Sequence, residues 1–299
     1  MVAVWAILPI FGLIVLGYLL GWRGWLSPEG MGGLSTITFR LFMPCLLFTG
    51  IARAPLGDAL SPLLIALYFL PALIIFTLVN TLIDRRRHQA SALGLAGSYS
   101  NNVLVGLPLV AALFGDQGLV YLYAILAAHS LILFTAQSVH VALANAEGRR
   151  PGLGSILATL KNPLVIALLL GMVMNALGLG LPETVWQMLD WLSRAALPCA
   201  LLVLGIGLTR YRLRSNRLVW SICALKLIGF PLLVALATTL AGVGAVEQQV
   251  LVLLAAGPIG VNALAFATTA EDQRTVGGLV FLSTLLAALT LPLWMAVMA

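Results

Sequence analysis

The stretch Gly97-Ser98-Tyr99-Ser100-Asn101-Asn102-Val103-Leu104-Val105-Gly106-Leu107-Pro108 interrupts a long apolar run. It reads poorly as one continuous helix. Pro108 has no amide proton to donate, and its ring clashes with the carbonyl of Leu104. Gly106 adds backbone freedom, and Asn101 and Asn102 put two amides into apolar surroundings. A second stretch, Ala255-Ala256-Gly257-Pro258-Ile259-Gly260-Val261-Asn262-Ala263-Leu264-Ala265-Phe266, repeats the same mixture of Gly, Pro and Asn. Unwound backbone at membrane depth survives only where protein buries it or where it lines a wet cavity. Two such segments in one chain predict a pair of broken helices framing a site. If they cross, their half-helix N-termini add positive potential and free N–H groups, which favours a carboxylate. Packing kinks are the competing account, since Pro and Gly are common in membrane helices. That account serves Pro108 or Pro258 singly, and serves two Asn-bearing breaks in corresponding runs less well.

The composition around these breaks is that of a membrane protein. The chain has 299 residues, 61% hydrophobic and 9% charged, with a mean hydropathy of +1.07. A soluble domain carries about a quarter charged residues, so a cytosolic enzyme, a secreted scaffold and a disordered chain are excluded. Long continuous apolar runs replace the alternation of a β-barrel. Ten all-α spans are expected, at roughly 4–22, 34–52, 61–83, 91–114, 118–143, 162–181, 185–208, 217–242, 247–269 and 276–298. The first run, Val4 to Leu20, has no basic residue before it and is read as a retained span rather than a cleaved signal. Cys45, Cys199 and Cys223 are odd in number and lie inside apolar runs, which argues against a disulfide framework.

The net charge of +6 comes from 16 Lys+Arg against 10 Asp+Glu. The basic residues sit between apolar runs, so anionic lipid headgroups, not nucleic acid, are their expected counterpart. With ten spans, Arg23, Arg85 to Arg87, Arg149, Arg150, Lys161, Arg210, Arg212, Arg214, Arg217 and Arg274 all fall on one side, and only Arg53 on the other. Basic loops stay in the cytoplasm. A bacterial inner-membrane protein with both termini outside the cytoplasm follows as the expectation.

The halves also resemble each other. Arg40-Leu-Phe-Met-Pro44-Cys45-Leu-Leu47 matches Arg194-Ala-Ala-Leu-Pro198-Cys199-Ala-Leu201, and Gly118-Leu-Val-Tyr-Leu122 matches Gly278-Leu-Val-Phe-Leu282. Two copies of an odd number of spans must insert with opposite orientations. The expected division is 1–145 and 162–299, two inverted five-helix repeats, with 146–161 as a cytoplasmic linker.

The residues that carry these patterns, Asn101-Asn-Val-Leu-Val-Gly-Leu-Pro108, Phe42-Met-Pro-Cys-Leu-Leu-Phe48 and Leu197-Pro-Cys-Ala-Leu-Leu-Val-Leu-Gly-Ile-Gly-Leu208, resemble the auxin efflux carrier family, whose prokaryotic members include malonate- and malate-type transporters. The resemblance covers most of the chain. It implies a fold like the sodium/proton antiporters and bile-acid transporters, with spans 4 and 9 crossing at unwound prolines; by that analogy the crossing site here involves Asn101, Asn102, Gly106 and Pro108 with Gly257, Pro258 and Asn262. The long central loop of the plant members is absent, and plant-type auxin specificity does not follow.

Three basic residues fall within spans: Arg40, Arg194 and Lys226. An intramembrane charge is a functional hypothesis by default. Arg40 and Lys226 start close to the cytoplasmic face and are expected to snorkel. Arg194 lies deeper and is the candidate partner of an anion. No carboxylate is deep in any span. His129 is the one deep group with a near-neutral reference pKa and is the candidate proton group, with hydrogen-bonded packing as its plainer role. Pro44 and Pro198 are expected helix kinks. Trp5, Trp22, Trp25, Trp186, Trp220 and Trp294 are read as interfacial belts.

There is no phosphate-cradling Gly-rich motif and no cluster of metal ligands, so ATP drive, a cofactor and a metal site are not expected. The leading expectation is a secondary transporter of a small organic anion such as malonate, malate or an auxin-like acid. Drive would come from a proton or sodium gradient, and a homodimer is expected by analogy. An intramembrane lipid-modifying enzyme, a non-transporting sensor and a channel are the competing classes.

Overall fold

The computed structural model describes residues 2–54, 61–87, 90–144, 161–211 and 216–298. The linker at 146–160 and the basic residues Arg149, Arg150, Arg212 and Arg214 lie outside the described residues. The described chain is helical: α1 (Val2–Trp22), α2 (Pro28–Ile37), α3 (Met43–Arg53), α4 (Pro62–Arg87), α5 (Leu93–Ser98), α6 (Leu107–Ala144), α7 (Pro163–Ala176), α8 (Glu183–Leu208), α9 (Arg217–Ala224), α10 (Phe230–Ala241), α11 (Ala245–Ala256) and α12 (Ala270–Met298). Among the described residues, six helical stretches are long and apolar enough to cross a membrane. α6 turns sharply at Gly115, whose φ of +54° suits glycine.

Three joints between helices are single π-helical turns: Thr38–Phe42, Asn102–Gly106 and Leu225–Gly229. Each ends two residues before a proline, at Pro44, Pro108 and Pro231. A proline inside an α-helix collides with the carbonyl four residues back. Widening the preceding turn relieves this: Met43, Leu107 and Phe230 donate to the carbonyls five residues back, Thr38, Asn102 and Leu225. Pro44 therefore marks a π turn. Pro198, expected to act likewise, lies inside the uninterrupted α8.

Pro108 corrects another expectation. The chain does not unwind at this proline, because the π turn before it absorbs the strain. It leaves the helix earlier, between Ser98 and Asn102, where Tyr99 and Asn101 take extended or irregular backbone. Asn101 Oδ1 accepts from the N–H of Leu104 at 3.3 Å, a local bond that competes with helix continuation. The second break does contain its proline. α11 ends at Ala256, Gly257 and Gly260 are extended, and the chain resumes as a 3₁₀ turn over Val261–Phe266.

The helices pack as two groups. α1 lies along α8 and α7 along α3, with α3 also on α8. α4, α5, α6, α10, α11 and α12 pack on one another. Apolar burial does not drive helix association in lipid, so close approach of small residues matters. A side chain at Gly17 would collide with the Leu202 backbone, and one at Gly205 with that of Ile14. These two glycines let α1 and α8 touch backbone to backbone. On the outside, Leu232, Leu236 and Leu240 of α10 and Leu285, Leu289 and Leu293 of α12 are exposed at helical spacing, as lipid-facing stripes require. Trp186 and Trp294 depart from the belt reading. Trp186 is buried, stacked on Phe48 and capped by the Arg53 guanidinium. Trp294 Nε1 donates to the carbonyl of Leu227 at 2.8 Å.

Candidate functional site at the helix breaks

The two breaks meet. The Asn101 N–H donates to the Pro258 carbonyl at 2.8 Å, and the Gly260 N–H donates to the Tyr99 carbonyl at 2.9 Å. Ser100 and Ile259 face each other between these bonds as an isolated antiparallel pair. Each unwound segment thus satisfies backbone groups of the other, which is what unwound chain at membrane depth demands. Ser283 of α12 accepts a further bond from the Ile259 N–H at 3.0 Å.

A layer of polar side chains surrounds the pair. Asn102 Nδ2 donates to the hydroxyl of Tyr68 at 3.0 Å, and that hydroxyl donates to Ser100 Oγ at 3.4 Å. The Tyr99 hydroxyl shares a bond of 2.9 Å with Ser130 and accepts from Asn262 Nδ2 at 3.4 Å. The Tyr99 ring lies on His129, centroids 4.3 Å apart. Three polar atoms remain without a protein partner although buried: Asn101 Nδ2, Asn102 Oδ1 and His129 Nε2. A buried polar atom left unpaired costs about 1–3 kcal/mol, so three in one place call for a ligand or water.

Asn101, Asn102 and His129 line a cavity of about 260 Å³ together with Tyr99, Asn262 and Arg40. Gly260 also lines it. A Cβ there would lie 2.5 Å from the Tyr99 ring, so glycine is required for the two breaks to approach. Gly106 has a milder version of the same role against Leu254. Pro108 lies beyond the cavity wall, in α6.

The three intramembrane cations sort differently from expectation. Arg194 is exposed on α8 and is not among the residues lining the cavity. Arg40, carried by the first π turn, does line it. Lys226 does not snorkel: it is fully buried, and its Nζ donates to the carbonyls of Ala255 and Gly257 at 2.6 Å each. Distance along a helix set the earlier expectation, whereas the π turn sets which way the residue faces. Tyr68, Tyr99 and Gly260 escaped the sequence reading as contributors to the site, and Arg40 and Lys226 were named there but expected to snorkel. Spacing to the next proline does not separate them from Arg194, which stands four residues before Pro198 as Arg40 does before Pro44.

The arrangement offers amides, hydroxyls and one guanidinium. The Ser130 hydroxyl is bonded to that of Tyr99. The chemistry available is binding and orientation of a polar or anionic solute.

A polytopic membrane protein with a polar cavity at two broken helices is the build of a membrane transporter. A family model described as "Membrane transport protein" matches residues 2–150 and 152–295, and the chain belongs to this family, that of the auxin efflux carriers. It is 29% identical over 265 residues to a protein of Rhizobium meliloti provisionally named a malonate transporter, covering 86% of this chain and 83% of that one. It is 28% identical over 301 residues to an uncharacterized transporter of Methanothermobacter thermautotrophicus, covering 98% and 97%. An uncharacterized transporter of Methanocaldococcus jannaschii is 23% identical, covering 96% of each chain.

Proposed function

We propose that the chain is a secondary transporter of a small organic anion and that the cavity at the breaks is its substrate site. The observation that carries this reading is the coincidence of three orphaned buried polar atoms, on Asn101, Asn102 and His129, with a guanidinium, Arg40, around one cavity. The orphaned donor Asn101 Nδ2 would pair with a substrate's oxygen, Asn102 Oδ1 would accept from a substrate hydroxyl or protonated acid, and Arg40 would neutralise its carboxylate. Malonate and malate fit this chemistry, and the name of the Rhizobium relative points the same way. His129 is the proton-carrying group if a proton gradient drives the cycle.

The reading includes ten spans in two inverted repeats, 1–145 and 162–299, joined by 146–161. Asn102 and Asn262 stand at the same offset as Gly118 and Gly278, which supports the pairing of the halves. α1, α2, α3, α7 and α8 would form a scaffold, and the group holding the breaks would move against it to alternate access. A second cavity, about 420 Å³, shares Phe39, Leu104 and Val261 with the first and extends to Ser35, Arg210 and Tyr211. Arg210 belongs to the basic, cytoplasmic face, so these three apolar side chains would gate the inner path.

The test is uptake of labelled malonate, malate and indole acetate into liposomes containing the purified protein, under a proton gradient, a sodium gradient or neither. Saturable uptake of one acid is the expected result. Correctly inserted protein without saturable uptake of any of them would sink this reading and return the sensor and enzyme classes.

A further inference from the structure

Lys226 is the largest unexplained investment in the fold. Its side chain is fully buried, and among the described residues no carboxylate forms an ion pair with it. Its surroundings are built to hold it. The π turn Leu225–Gly229 carries it, the carbonyl of Leu227 in that turn is held by Trp294, and the Phe230 ring lies 5.1 Å from Nζ. Its two acceptors are the next-to-last carbonyl of α11 and the first carbonyl of the break, where the helix ends and its negative pole lies. Asn102 Oδ1, an orphaned acceptor, lies beside Gly257: a Cβ on that glycine would be 3.9 Å away.

Carbonyls freed at a half-helix C-terminus are the ligands with which broken-helix carriers hold a coupling sodium ion. Here two of them are already taken by an ammonium tethered to the chain. A sodium ion at those oxygens would have to displace the Lys226 Nζ, which already sits 2.6 Å from each of them. We infer that Lys226 is a resident cation: its ammonium fills the alkali-cation position at the second break, so the carrier works without sodium. The inference rests on the transport reading and names one part of its energetics. It also assigns Lys226 a positioning role, since it ties α9 and α10 to α11 at the crossing.

The test uses the full chain in detergent and in liposomes, with three readouts. Wild-type protein is expected to bind no ²²Na⁺ saturably, to melt at the same temperature in sodium, potassium or choline chloride, and to take up substrate equally in all three. Lys226→Ala leaves two buried carbonyls unpaired, and its melting temperature is expected to fall by about 5 °C. Ethylammonium or methylammonium, small enough to occupy the vacated space, should recover part of that loss and part of the uptake, while choline should not. Saturable ²²Na⁺ binding by the wild type, uptake that rises with sodium, or a Lys226→Ala variant as stable and active as the wild type would each overturn the inference. If Lys226→Ala yields no folded protein, the wild-type ²²Na⁺ and melting measurements decide alone. Both need no substrate. Should they come out as expected while no acid is transported, the transport reading falls and the resident cation stands.

Discussion

Asn101 and Pro258, 157 positions apart in the chain, are joined backbone to backbone by a 2.8 Å hydrogen bond. With the reciprocal bond from Gly260 to Tyr99 it makes a two-bond antiparallel bridge inside an otherwise helical membrane protein. The bridge solves a local problem, because a broken helix exposes N–H and C=O groups that lipid cannot satisfy. Solving it with the other break, instead of with a neighbouring intact helix, brings both sets of side chains to one place.

The asparagines next to the bridge carry the first prediction. Asn102 bonds Tyr68 through Nδ2 and keeps Oδ1 unpaired, and Asn262 bonds Tyr99. Asn102→Ala and Asn262→Ala are each expected to weaken substrate affinity by about tenfold in correctly inserted protein, as the loss of one or two hydrogen bonds implies. Competition binding and the KM of liposome uptake check this. Unchanged flux and affinity in both variants would remove the substrate site from the crossing.

Gly260→Ala tests the packing of the crossing apart from substrate. The new methyl would lie 2.5 Å from the Tyr99 ring. That ring cannot easily yield, since Ser130 holds its hydroxyl and His129 lies against its face. The expected cost is about 1–3 kcal/mol, as for other overpacked sites. Gly257→Ala should cost less, because its nearest contact would be 3.3 Å from the Leu254 carbonyl. Melting temperatures of the two variants in detergent give the order.

Much of this fold was legible in the sequence. The apolar runs locate the helices, and the Gly, Pro and Asn clusters locate both breaks. Asn101, Asn102, His129 and Asn262 do line one cavity. Three things were hidden. The cause of the first break was hidden: it lies within the expected stretch, at Tyr99 to Asn101, and not at Pro108, because a proline can be absorbed by a π turn as well as by unwinding. The contribution of Tyr68 and Tyr99 was invisible, because tyrosine in an apolar run reads as packing. The facing of the cations was not legible, because depth along a helix does not say which side a residue takes: Arg40 and Lys226, both expected to snorkel, line the cavity and lie buried against Ala255 and Gly257 respectively, and Arg194 is exposed.

His129 is set to answer the question of proton coupling. Its ring lies against Tyr99, and its Nε2 has no protein partner while bordering the cavity. His129→Gln keeps a polar side chain of similar reach but cannot titrate. If His129 carries the proton, the variant's uptake loses its dependence on pH. Uptake at a series of pH values, with no gradient imposed, measures it. A pH profile identical to the wild type would leave His129 as a packing partner of Tyr99.

The comparison of Arg40 with Arg194 decides where the anion's counter-charge sits. Both residues open matching Arg-to-Pro motifs in the two halves, and depth along the span made Arg194 the expected partner and Arg40 a snorkelling residue. The structure favours the other one. Both are exposed, but Arg40 rides on a π turn and lines the cavity, whereas Arg194 lies in the continuous α8 and is not among the lining residues. The difference follows from local chemistry: in α3 a π turn precedes Pro44, and in α8 no such turn precedes Pro198. A charge-assisted bond to a carboxylate contributes about 1.5–3 kcal/mol, so Arg40→Gln should raise the KM for a carboxylate substrate by about 10- to 100-fold. Arg40→Lys should recover only part, because an ammonium cannot make the two-pronged contact of a guanidinium. Arg194→Gln should leave KM unchanged. Kinetics of the three variants in liposomes, with insertion checked for each, read the difference directly. A KM that rises for Arg194→Gln and not for Arg40→Gln would place the substrate on the α8 side of the scaffold and empty the crossing cavity of its proposed role.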